Sequence, residues 1–283
     1  MPGPDVSILL SYRNSENTLA QALRSIIGQT FENWELILID DGSTDQSNEV
    51  VQALADERFR RYGDHICRGL AARLNEGIDY AQGDLIARMD ADDISFPERL
   101  ATQVAFLRDH PQIDLLAVSA LLLGENDEPV GVLPAGLEHR DICRRPWLGF
   151  PMPHPTWMGR KAWFRQYRYD IKARKAQDQE LLYRAYTHSQ YAGLATVLLA
   201  YRYSSLSLGK SLAGRLAFLR GIATQRNWLD LLRGSSIHGA AMVRDLSAIL
   251  LNSEMHNIRR RTIPATETLV SQWKTVATRF AAE

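Results

Sequence analysis

The 283 residues carry no net formal charge, since 33 Lys and Arg residues balance 33 Asp and Glu residues. This balance argues against wholesale binding of nucleic acid. The length is sufficient for one large α/β domain or for two halves that share a sheet. The two cysteines, Cys67 and Cys143, fit reduced thiols of a cytosolic protein better than a disulfide framework, with a single bridge left open.

The N-terminal sequence Met1 to Asp5 has neither the cationic start nor the apolar run of a signal peptide. No stretch approaches the roughly 18 apolar residues that span a bilayer, and the best candidate, 115–123, indicates a buried strand. We therefore expect a cytoplasmic protein, with a peripheral position at the inner face of the plasma membrane as the alternative.

Strand and helix patterns alternate along the N-terminal part of the chain. Apolar runs predict strands at 6–10, 36–39 and 85–89. Helical spacing is found in four segments: Leu19 to Ile27 with Gly28 as its stop, a helix with Val50, Val51 and Leu54 capped near Ser43 or Thr44, a helix with Leu70, Leu74 and Ile78 ended by Gly83, and a helix starting at Pro97 with Leu100, Val104 and Leu107. This order predicts crossover units on a mostly parallel sheet.

Two of the predicted strands end in carboxylates. Asp40 and Asp41 follow the second strand, and Asp90-Ala91-Asp92-Asp93 follows the third. In a parallel sheet both turns face one crevice near a topological switch point. Such a cluster is stable when it is solvated, caps backbone N–H groups or is neutralised by a hard divalent cation. A nucleotide diphosphate bridged by a metal fits the third case, whereas capping of the turn fits the second.

Other nucleotide and hydrolase sites lack support in the sequence. The segment 11–17 after the first strand has no glycines, which a dinucleotide site requires. Gly209-Lys210-Ser211 resembles the end of a P-loop, but Ser204 stands where the first glycine is needed. No G-x-S-x-G or H-E-x-x-H motif occurs, so serine-nucleophile and zinc-peptidase chemistry lack a motif.

Five segments together resemble family 2 glycosyltransferases, in order and spacing, over roughly residues 5 to 205: 6–10, 25–30, 36–45, 69–77 and 88–93. The resemblance implies the GT-A fold, a Rossmann-like, mostly parallel sheet flanked by helices, here with a C-terminal helical extension. It also implies a nucleotide-activated sugar, Mg²⁺ or Mn²⁺ as cofactor, inversion at the anomeric carbon and a role in bacterial cell-surface polysaccharide synthesis.

The resemblance assigns donor-binding roles to residues of the first half. One carboxylate of the Asp40-Asp41 turn, with Asp40 preferred, accepts a hydrogen bond from N3–H of uracil or thymine. Further donor contacts are assigned to Ser11, Tyr12, Arg73, Asn75 and Asp90. Tyr12 packs either on the base or within its loop, and Arg73 either pairs with a phosphate or is a solvated helix arginine.

The same resemblance assigns metal binding to the D-x-D motif. Asp92 is the expected direct ligand, and Asp90 points to the ribose or the sugar. Asp93 either supports the ligands from behind or caps the turn.

A catalytic base is implied near the start of a later helix, where Gln177 replaces the family's common Glu. Asp178 is the expected base, and a helix N-terminus favours its ionised form. Its alternative role is that of an N-cap. Glu180 is the fallback base, although solvation or an i,i+4 pair with Arg184 is the simpler interpretation.

Further side chains near the acceptor have two interpretations each. His154, between two prolines, either hydrogen-bonds the donor sugar or the acceptor, or it is a structural residue of a rigid turn. Trp147 and Trp157 either stack on sugar rings or pack in the core.

The chain departs from the family where a histidine commonly follows a Tyr-Arg pair. Here the sequence is Tyr201-Arg202-Tyr203-Ser204-Ser205, so metal or phosphate contacts on that side fall to water, Arg202 or Lys210. The Q-x-x-R-W motif of processive synthases is also missing, which favours addition of one sugar per encounter.

Beyond residue 211 helical spacing continues, first in 212–222 and 228–232 and then in a separate predicted helix around Met242 to Leu251. The basic run Arg259-Arg260-Arg261 follows. We expect a nucleotide-sugar-binding half at 1–110, an acceptor half with the base at 111–210, and a helical extension at 211–283. The extension either packs on the catalytic domain or attaches residues 211–262 to an anionic membrane.

The predicted function is metal-dependent, inverting transfer of one sugar from a nucleoside-diphosphate sugar, UDP- or dTDP-linked, to a hydroxyl of a glycan or lipid-linked saccharide. Two other functions stay open. The first is a catalytically silent nucleotide-sugar-binding or scaffold protein, and the second is a nucleotidyltransferase, which releases pyrophosphate.

Overall fold

The computed structural model describes residues 3–173, 175–203, 208–250 and 262–281. Nine strands lie within these residues: β1 (Val6–Tyr12), β2 (Trp34–Asp40), β3 (Phe59–Gly63), β4 (Leu85–Asp90), β5 (Ile94–Ser95), β6 (Leu115–Leu123), β7 (Pro129–Leu133), β8 (Met158–Arg160) and β9 (Tyr191–Arg202). They form one sheet in the order β3-β2-β1-β4-β8-β6-β9-β5, with β7 paired to β6.

Helices connect and cover these strands. Their bounds are α1 (Leu19–Ile27), α2 (Ser47–Ala53), α3 (Leu70–Tyr80), α4 (Arg99–Asp109), α5 (His139–Ile142), α6 (Lys161–Gln166), α7 (Gln177–Ala185), α8 (Leu208–Thr224), α9 (Trp228–Leu250) and α10 (Glu267–Phe280). Single 3₁₀ turns lie at Pro146–Leu148, His154–Thr156 and Tyr186–His188.

The strands of the N-terminal half are parallel, and the direction in which successive strands are added to the sheet reverses at β1. β1 pairs in parallel with β2 on one side and with β4 on the other, so that Ser11 lies opposite both Ile39 and Asp90. The chain runs outward to β3 and then returns across β1 to β4. This reversal creates a crevice at the carboxyl ends of β1, β2 and β4. The predicted mostly parallel sheet is therefore confirmed.

Burial explains why the sheet lies between two layers of helices. Every residue of β2 and β6 is buried, which requires cover on both faces of these strands. One core cluster includes Leu74 and Ile78 of α3, and a second includes Leu23 of α1 and Val104 of α4. Because each buried aliphatic side chain contributes roughly 1.5–3 kcal/mol, these layers fix the strand ends that form the crevice.

Several predicted boundaries are wrong for local reasons. α2 begins at Ser47, since the N–H groups of Ser43 and Thr44 donate to side chains of the loop instead of starting a helix. α3 ends at Tyr80, before Gly83, and α4 begins at Arg99, two residues after Pro97. Strand β3 escaped prediction because it is half exposed and carries Arg60 and Arg61.

Helices α8 and α9 pack against α7, whereas Trp273 of α10 lies beside the Phe96 ring, with centroids 6.4 Å apart. The Phe218 ring of α8 lies edge-on to Tyr183 of α7, with centroids 6.0 Å apart. Tyr183 in turn donates a hydrogen bond to Asp230 of α9 over 2.9 Å. α9 is one continuous helix, so the separate helix predicted from Met242 is wrong. In the described part of the chain, no helix combines the length and apolar character needed to cross a bilayer. The run Arg259-Arg260-Arg261, the pair Ser204-Ser205 and the side chain of Lys210 lie outside the described residues.

Candidate active site

Three adjoining cavities form a cleft along the carboxyl ends of the central strands. The first, of about 670 Å³, is lined by Asp40, and the second, of about 500 Å³, by Asp41 and Asp92. Tyr12 lines both of them. The third, of about 680 Å³, shares Asp90 with the second. The prediction that both acidic turns face one crevice is thereby confirmed.

Asp40 is buried and held by its own turn. Its Oδ1 accepts from the N–H of Ser43 at 2.8 Å, and its Oδ2 accepts from the side-chain amide of Asn48 at 3.1 Å. The hydroxyl of Tyr12 donates to the same Asn48 amide at 2.7 Å. Tyr12 and Asp40 are thus parts of one network in the wall of the cleft. Ser11 precedes them and lines the second cavity.

Asp41 is oriented by the segment that leads into α3. Its carboxylate accepts from the N–H groups of Arg68 and Gly69 and from Nε of Arg73 at 3.0 Å. Gly69 adopts φ +89°, which L side chains rarely adopt, and this conformation aims its N–H at the carboxylate.

Arg73 is only 2% exposed, so the interpretation as a solvated helix arginine is wrong. Besides Asp41, its guanidinium pairs with Glu76 at 2.8 Å and with Asp64 at 2.5 Å. These carboxylates raise the pKa of Arg73 further above its ordinary value, against the opposing effect of burial. The cation is therefore fixed beside Asp41 at all accessible pH values.

Asn75 links α3 to the loop before α7. Its amide exchanges two hydrogen bonds with the backbone of Tyr169, at 2.9 and 3.0 Å. The Tyr169 hydroxyl reaches Nε2 of His154 at 2.8 Å. Since both ends of the Asn75 amide are occupied, its contacts hold His154 in place through Tyr169.

Asp90, Asp92 and Asp93 form the acidic cluster, with carboxylate oxygens within 4.8 Å of one another. Asp93 is fully buried, whereas Asp92 opens to the cleft. Burial, followed by the neighbouring charges, raises the pKa of both Asp92 and Asp93. Within the described residues, Oδ2 of Asp93 has no hydrogen-bond partner. Close carboxylate oxygens with one lacking a partner suit a hard cation such as Mg²⁺ or Mn²⁺.

Two buried arginines lie next to this cluster and neutralise part of its negative charge. Arg88 is 3% exposed and forms an ion pair with Asp90, while its Nε and Nη1 have no hydrogen-bond partner among the described residues. Arg99 is buried beside it and donates to the carbonyl of Arg88 at 2.7 Å. Burial lowers the pKa of Arg99 to about 9. Because Arg88 also lines the third cavity, part of the negative charge of the cluster is neutralised within the cleft.

Asp178 lies in the first turn of α7 and lines the third cavity with Asp90. Ala176 occupies the N-cap position, so the N-cap interpretation of Asp178 is wrong. Gln179 donates to Oδ2 of Asp178 at 3.1 Å and accepts from the N–H of Phe150 at 2.7 Å. Burial raises the pKa of Asp178 and outweighs these hydrogen bonds. The sequence predicted that the helix N-terminus favours the ionised form of Asp178. Burial opposes this effect and gives a raised pKa instead.

Glu180 is buried and points away from the third cavity. It forms two hydrogen bonds with Arg184, at 2.9 and 3.0 Å, so the predicted i,i+4 pair is confirmed. A carboxylate committed to a guanidinium is a poor proton acceptor. Asp178 is the better-placed carboxylate of this helix.

The aromatic residues near the cavity differ in exposure. Trp157 is fully buried, so its predicted stacking on a sugar is wrong and the core interpretation holds. His154 packs edge-on against Trp157, and burial lowers the pKa of His154, which keeps the ring neutral. Trp147 is covered by the guanidinium of Arg233, 4.8 Å from the ring centroid. Tyr201 lines the third cavity beside Asp90.

Sequence reasoning missed several residues of this site. Gln179 and Tyr169 have no motif, and their roles depend on contacts between distant segments. Arg88 lies two residues before the D-x-D motif, and a basic residue inside an apolar strand is the signal that could have identified it.

Comparison with known proteins identifies the family. The sequence model for glycosyl transferase family 2 matches residues 7–168. The putative glycosyltransferase EpsE of Bacillus subtilis is 36% identical over 186 residues, which cover 63% of this chain and 66% of EpsE. The glucosyltransferase WfgD of Escherichia coli, described as acting with UDP-Glc on α-D-GlcNAc-diphosphoundecaprenol, is 33% identical over 102 residues, which cover 36% of this chain and 40% of WfgD. The chain thus spans two thirds or less of the length of these relatives.

Solved structures share the fold. Residues 1–349 of TarS from S. aureus align with a TM-score of 0.60 at 18% identity, covering 98% of this chain and 91% of that one. A mannosyltransferase from Pyrobaculum calidifontis, in complex with GDP-Man and Mn²⁺, aligns with a TM-score of 0.59 at 14% identity, covering 99% and 88%. The fold is accordingly of the GT-A type. Because the family model spans more than half of its length, the chain belongs to glycosyl transferase family 2.

Proposed function

We propose that the chain is a metal-dependent, inverting glycosyltransferase that moves one sugar from a UDP- or dTDP-linked donor to a hydroxyl of a glycan or lipid-linked saccharide. The observation that carries this proposal is that Asp90 and Asp178 line one cavity of about 680 Å³. A donor held at the acidic cluster and an acceptor activated at Asp178 fit within one cleft.

Asp41, and not Asp40, is our choice for the carboxylate that accepts a hydrogen bond from the nucleobase of the donor. Asp41 shares the second cavity with the acidic cluster, whereas Asp40 lies in the first cavity. Both oxygens of each carboxylate accept hydrogen bonds, so the choice rests on this difference in position. Arg73 holds the Asp41 carboxylate in place, which favours a hydrogen bond to N3–H of a uracil or thymine ring.

The acidic cluster is our candidate for the metal site, with Asp92 as the direct ligand and with Asp90 and Asp93 beside it. A divalent cation bound there supplies positive charge to the diphosphate leaving group. Arg88 pairs with the carboxylate of Asp90 and also lines the third cavity, and Arg202 holds the main-chain carbonyl of Asp92.

Asp178 is our candidate for the general base. Its carboxylate accepts the proton of the acceptor hydroxyl while that oxygen forms a bond to the anomeric carbon of the donor sugar. The bond from the anomeric carbon to the β-phosphate oxygen breaks, and its electron pair leaves with the nucleoside diphosphate. Attack opposite the leaving group inverts the anomeric configuration. The raised pKa of Asp178 suits this role because it makes the carboxylate a stronger base.

The acceptor class is inferred from the relatives. WfgD is named for a lipid-diphosphate-linked sugar acceptor, and ExoU of Rhizobium meliloti, 31% identical over 235 residues, is named for succinoglycan biosynthesis. We carry over only the chemical class, a saccharide that belongs to a growing cell-surface glycan. A lipid-linked acceptor also places the enzyme at the inner face of the plasma membrane, with a peripheral attachment.

Calorimetry tests the donor site. UDP, dTDP and GDP are titrated into the protein with Mn²⁺ and with EDTA, and the Asp92→Ala variant is compared with Asp109→Ala, which removes an exposed carboxylate at the end of α4. We expect one diphosphate to bind only with metal and only when Asp92 is present. Metal-independent binding of every diphosphate, or no binding, contradicts the proposal. Release of pyrophosphate in place of a nucleoside diphosphate supports the nucleotidyltransferase.

A further inference from the structure

Helix α9 is packed against the protein along one narrow stripe. Asp230, Gly234, His238 and Ala241 are all buried, and their spacing of three or four residues places them on one side of the helix. His238 contacts the carbonyl of Trp147 at 3.1 Å. This stripe anchors α9 to the turn that precedes the third cavity.

The opposite side of α9 is apolar and exposed. Trp228, Leu229 and Leu232 are each 66–68% exposed. At 100° per residue, Leu229, Leu232, Ser236 and Ala240 lie on a strip that is turned away from the buried stripe. These residues and Trp228 are called the outer face. An exposed apolar strip of this kind on a helix that is already packed on its other side calls for a partner.

Charge around the outer face narrows the choice of partner. In segment 208–250 the basic residues are Lys210, Arg215, Arg220, Arg226, Arg233 and Arg244, whereas the acidic residues are Asp230 and Asp245. Asp230 is buried, accepts from Tyr183 and pairs with Nη1 of Arg233 at 3.9 Å, although the Arg233 side chain stays 56% exposed. The whole chain is neutral, so this segment carries a local cationic excess.

A second copy of the chain fits this surface poorly. A two-fold interface through the outer face brings Arg226 and Arg233 of both copies close together, because the same patch meets itself. Both arginines are exposed next to the apolar strip. An anionic lipid surface offers the opposite charge and an apolar interior, and Trp at the boundary is typical of interfacial helices.

We propose that the outer face of α9, flanked by Arg226 and Arg233, binds the surface of an anionic lipid bilayer. The helix then lies in the plane of the headgroups with Trp228, Leu229 and Leu232 inserted. The purpose of this contact rests on the proposed function, since it brings the acceptor side of the cleft to a lipid-linked saccharide. The contact itself is measurable without any transfer reaction.

Vesicle sedimentation with the full chain tests the proposal. Vesicles of phosphatidylcholine with phosphatidylglycerol are compared with vesicles of phosphatidylcholine alone. We expect binding to the anionic vesicles, weakened by salt and reduced roughly tenfold by the double substitution Leu229→Ser and Leu232→Ser. Leu137→Ser, which removes a leucine 51% exposed elsewhere on the surface, is the matched control and retains binding.

Two further measurements separate the outcomes. If the double variant binds UDP with Mn²⁺ in calorimetry, it is folded. If the unaltered chain does not bind UDP, this result counts against the proposed function and not against the membrane contact. Equal sedimentation of the double variant and the unaltered chain overturns the membrane contact. The membrane contact is also overturned if the unaltered chain does not bind vesicles and forms a dimer in analytical ultracentrifugation that the double substitution dissociates.

Discussion

Arg202 donates a hydrogen bond from Nη1 to the backbone carbonyl of Asp92 at 2.7 Å, although 110 positions separate the two residues. The same guanidinium contacts the carboxylate of Asp127 through Nε and Nη2, at 2.6 and 2.7 Å. It lies just before the place where a histidine was expected. Arg202 therefore does not replace the imidazole as a ligand, since its donors fix the main chain of the acidic turn.

Arg202→Met is expected to weaken metal-dependent UDP binding by about tenfold, which is about 1.4 kcal/mol. The reason is that the carbonyl of Asp92 loses its anchor and the cluster loses a nearby positive charge. Calorimetry with and without Mn²⁺ measures the effect. Arg108→Met, which removes an exposed arginine paired with Asp5, is the control. Unchanged affinity in Arg202→Met contradicts the anchoring role.

Asp178→Asn is expected to lower the turnover number by roughly 10²- to 10⁴-fold while UDP binding stays within about twofold. The amide cannot accept the acceptor proton, but it keeps the size of the side chain and a carbonyl oxygen for Gln179. Glu180→Gln is the comparison in the same helix and should affect stability through Arg184 more than turnover. Full activity of Asp178→Asn supports a base elsewhere, whereas no transfer by either the variant or the unaltered chain supports a catalytically silent site.

The pH dependence of Asp178 has a definite sign. Burial raises its pKa in the folded state, so the protonated form is the one that folding favours. Its stabilising contribution is present below the pKa of the unfolded chain and is lost as pH rises through the folded pKa. Activity behaves in the opposite way, because the base must be ionised, and it should fall on the acid side at a higher pH than an ordinary aspartate predicts.

Thermal unfolding across pH checks this sign. At neutral pH the Asp178→Asn protein should have a melting temperature equal to or above that of the unaltered chain, and the difference should shrink toward acid pH. A melting temperature that is lower only at neutral pH means that the ionised carboxylate is stabilised by the fold. That result excludes the burial argument for Asp178.

Local patterns were sufficient to predict the N-terminal half of the fold. The apolar runs of β1, β2 and β4 and the helical spacing of α1 and α3 are set by neighbouring residues, and the acidic turns follow the strands directly. The crevice then follows from parallel pairing. Continuity of α9 could not be predicted, because Gly234 has a low helix propensity. Its packing explains the exception, since a Cβ there meets Leu219 at 3.1 Å.

Contacts between distant segments account for the rest. Arg73 reads as an ordinary helix arginine until Asp41 and Asp64 are seen around it, and no spacing rule links these three residues. The same holds for Asn75, whose partner Tyr169 lies 94 residues away. Tertiary hydrogen bonds of this kind depend on how the helices pack. The residues of a short sequence segment do not determine that packing.

The choice between Asp41 and Asp40 can be decided with two nucleotides. Cytosine has no proton at N3, so a carboxylate that accepts from N3–H rejects CDP, whereas an amide can donate to cytosine N3. Asp41→Asn is therefore expected to weaken UDP binding by about 10- to 100-fold, the loss of a charge-assisted hydrogen bond of roughly 1.5–3 kcal/mol, and to narrow the preference for UDP over CDP. Calorimetry with both nucleotides and Mn²⁺ measures this ratio.

Asp40→Asn is the matched comparison, since it makes the same chemical change one residue earlier. Its oxygen can still accept from the N–H of Ser43, so the turn should persist and the preference for UDP should be retained. If Asp40→Asn narrows the preference for UDP over CDP and Asp41→Asn does not, the uracil ring lies in the first cavity beside Asp40. The geometry of Asp41 then serves only to hold Arg73 and the segment that leads into α3.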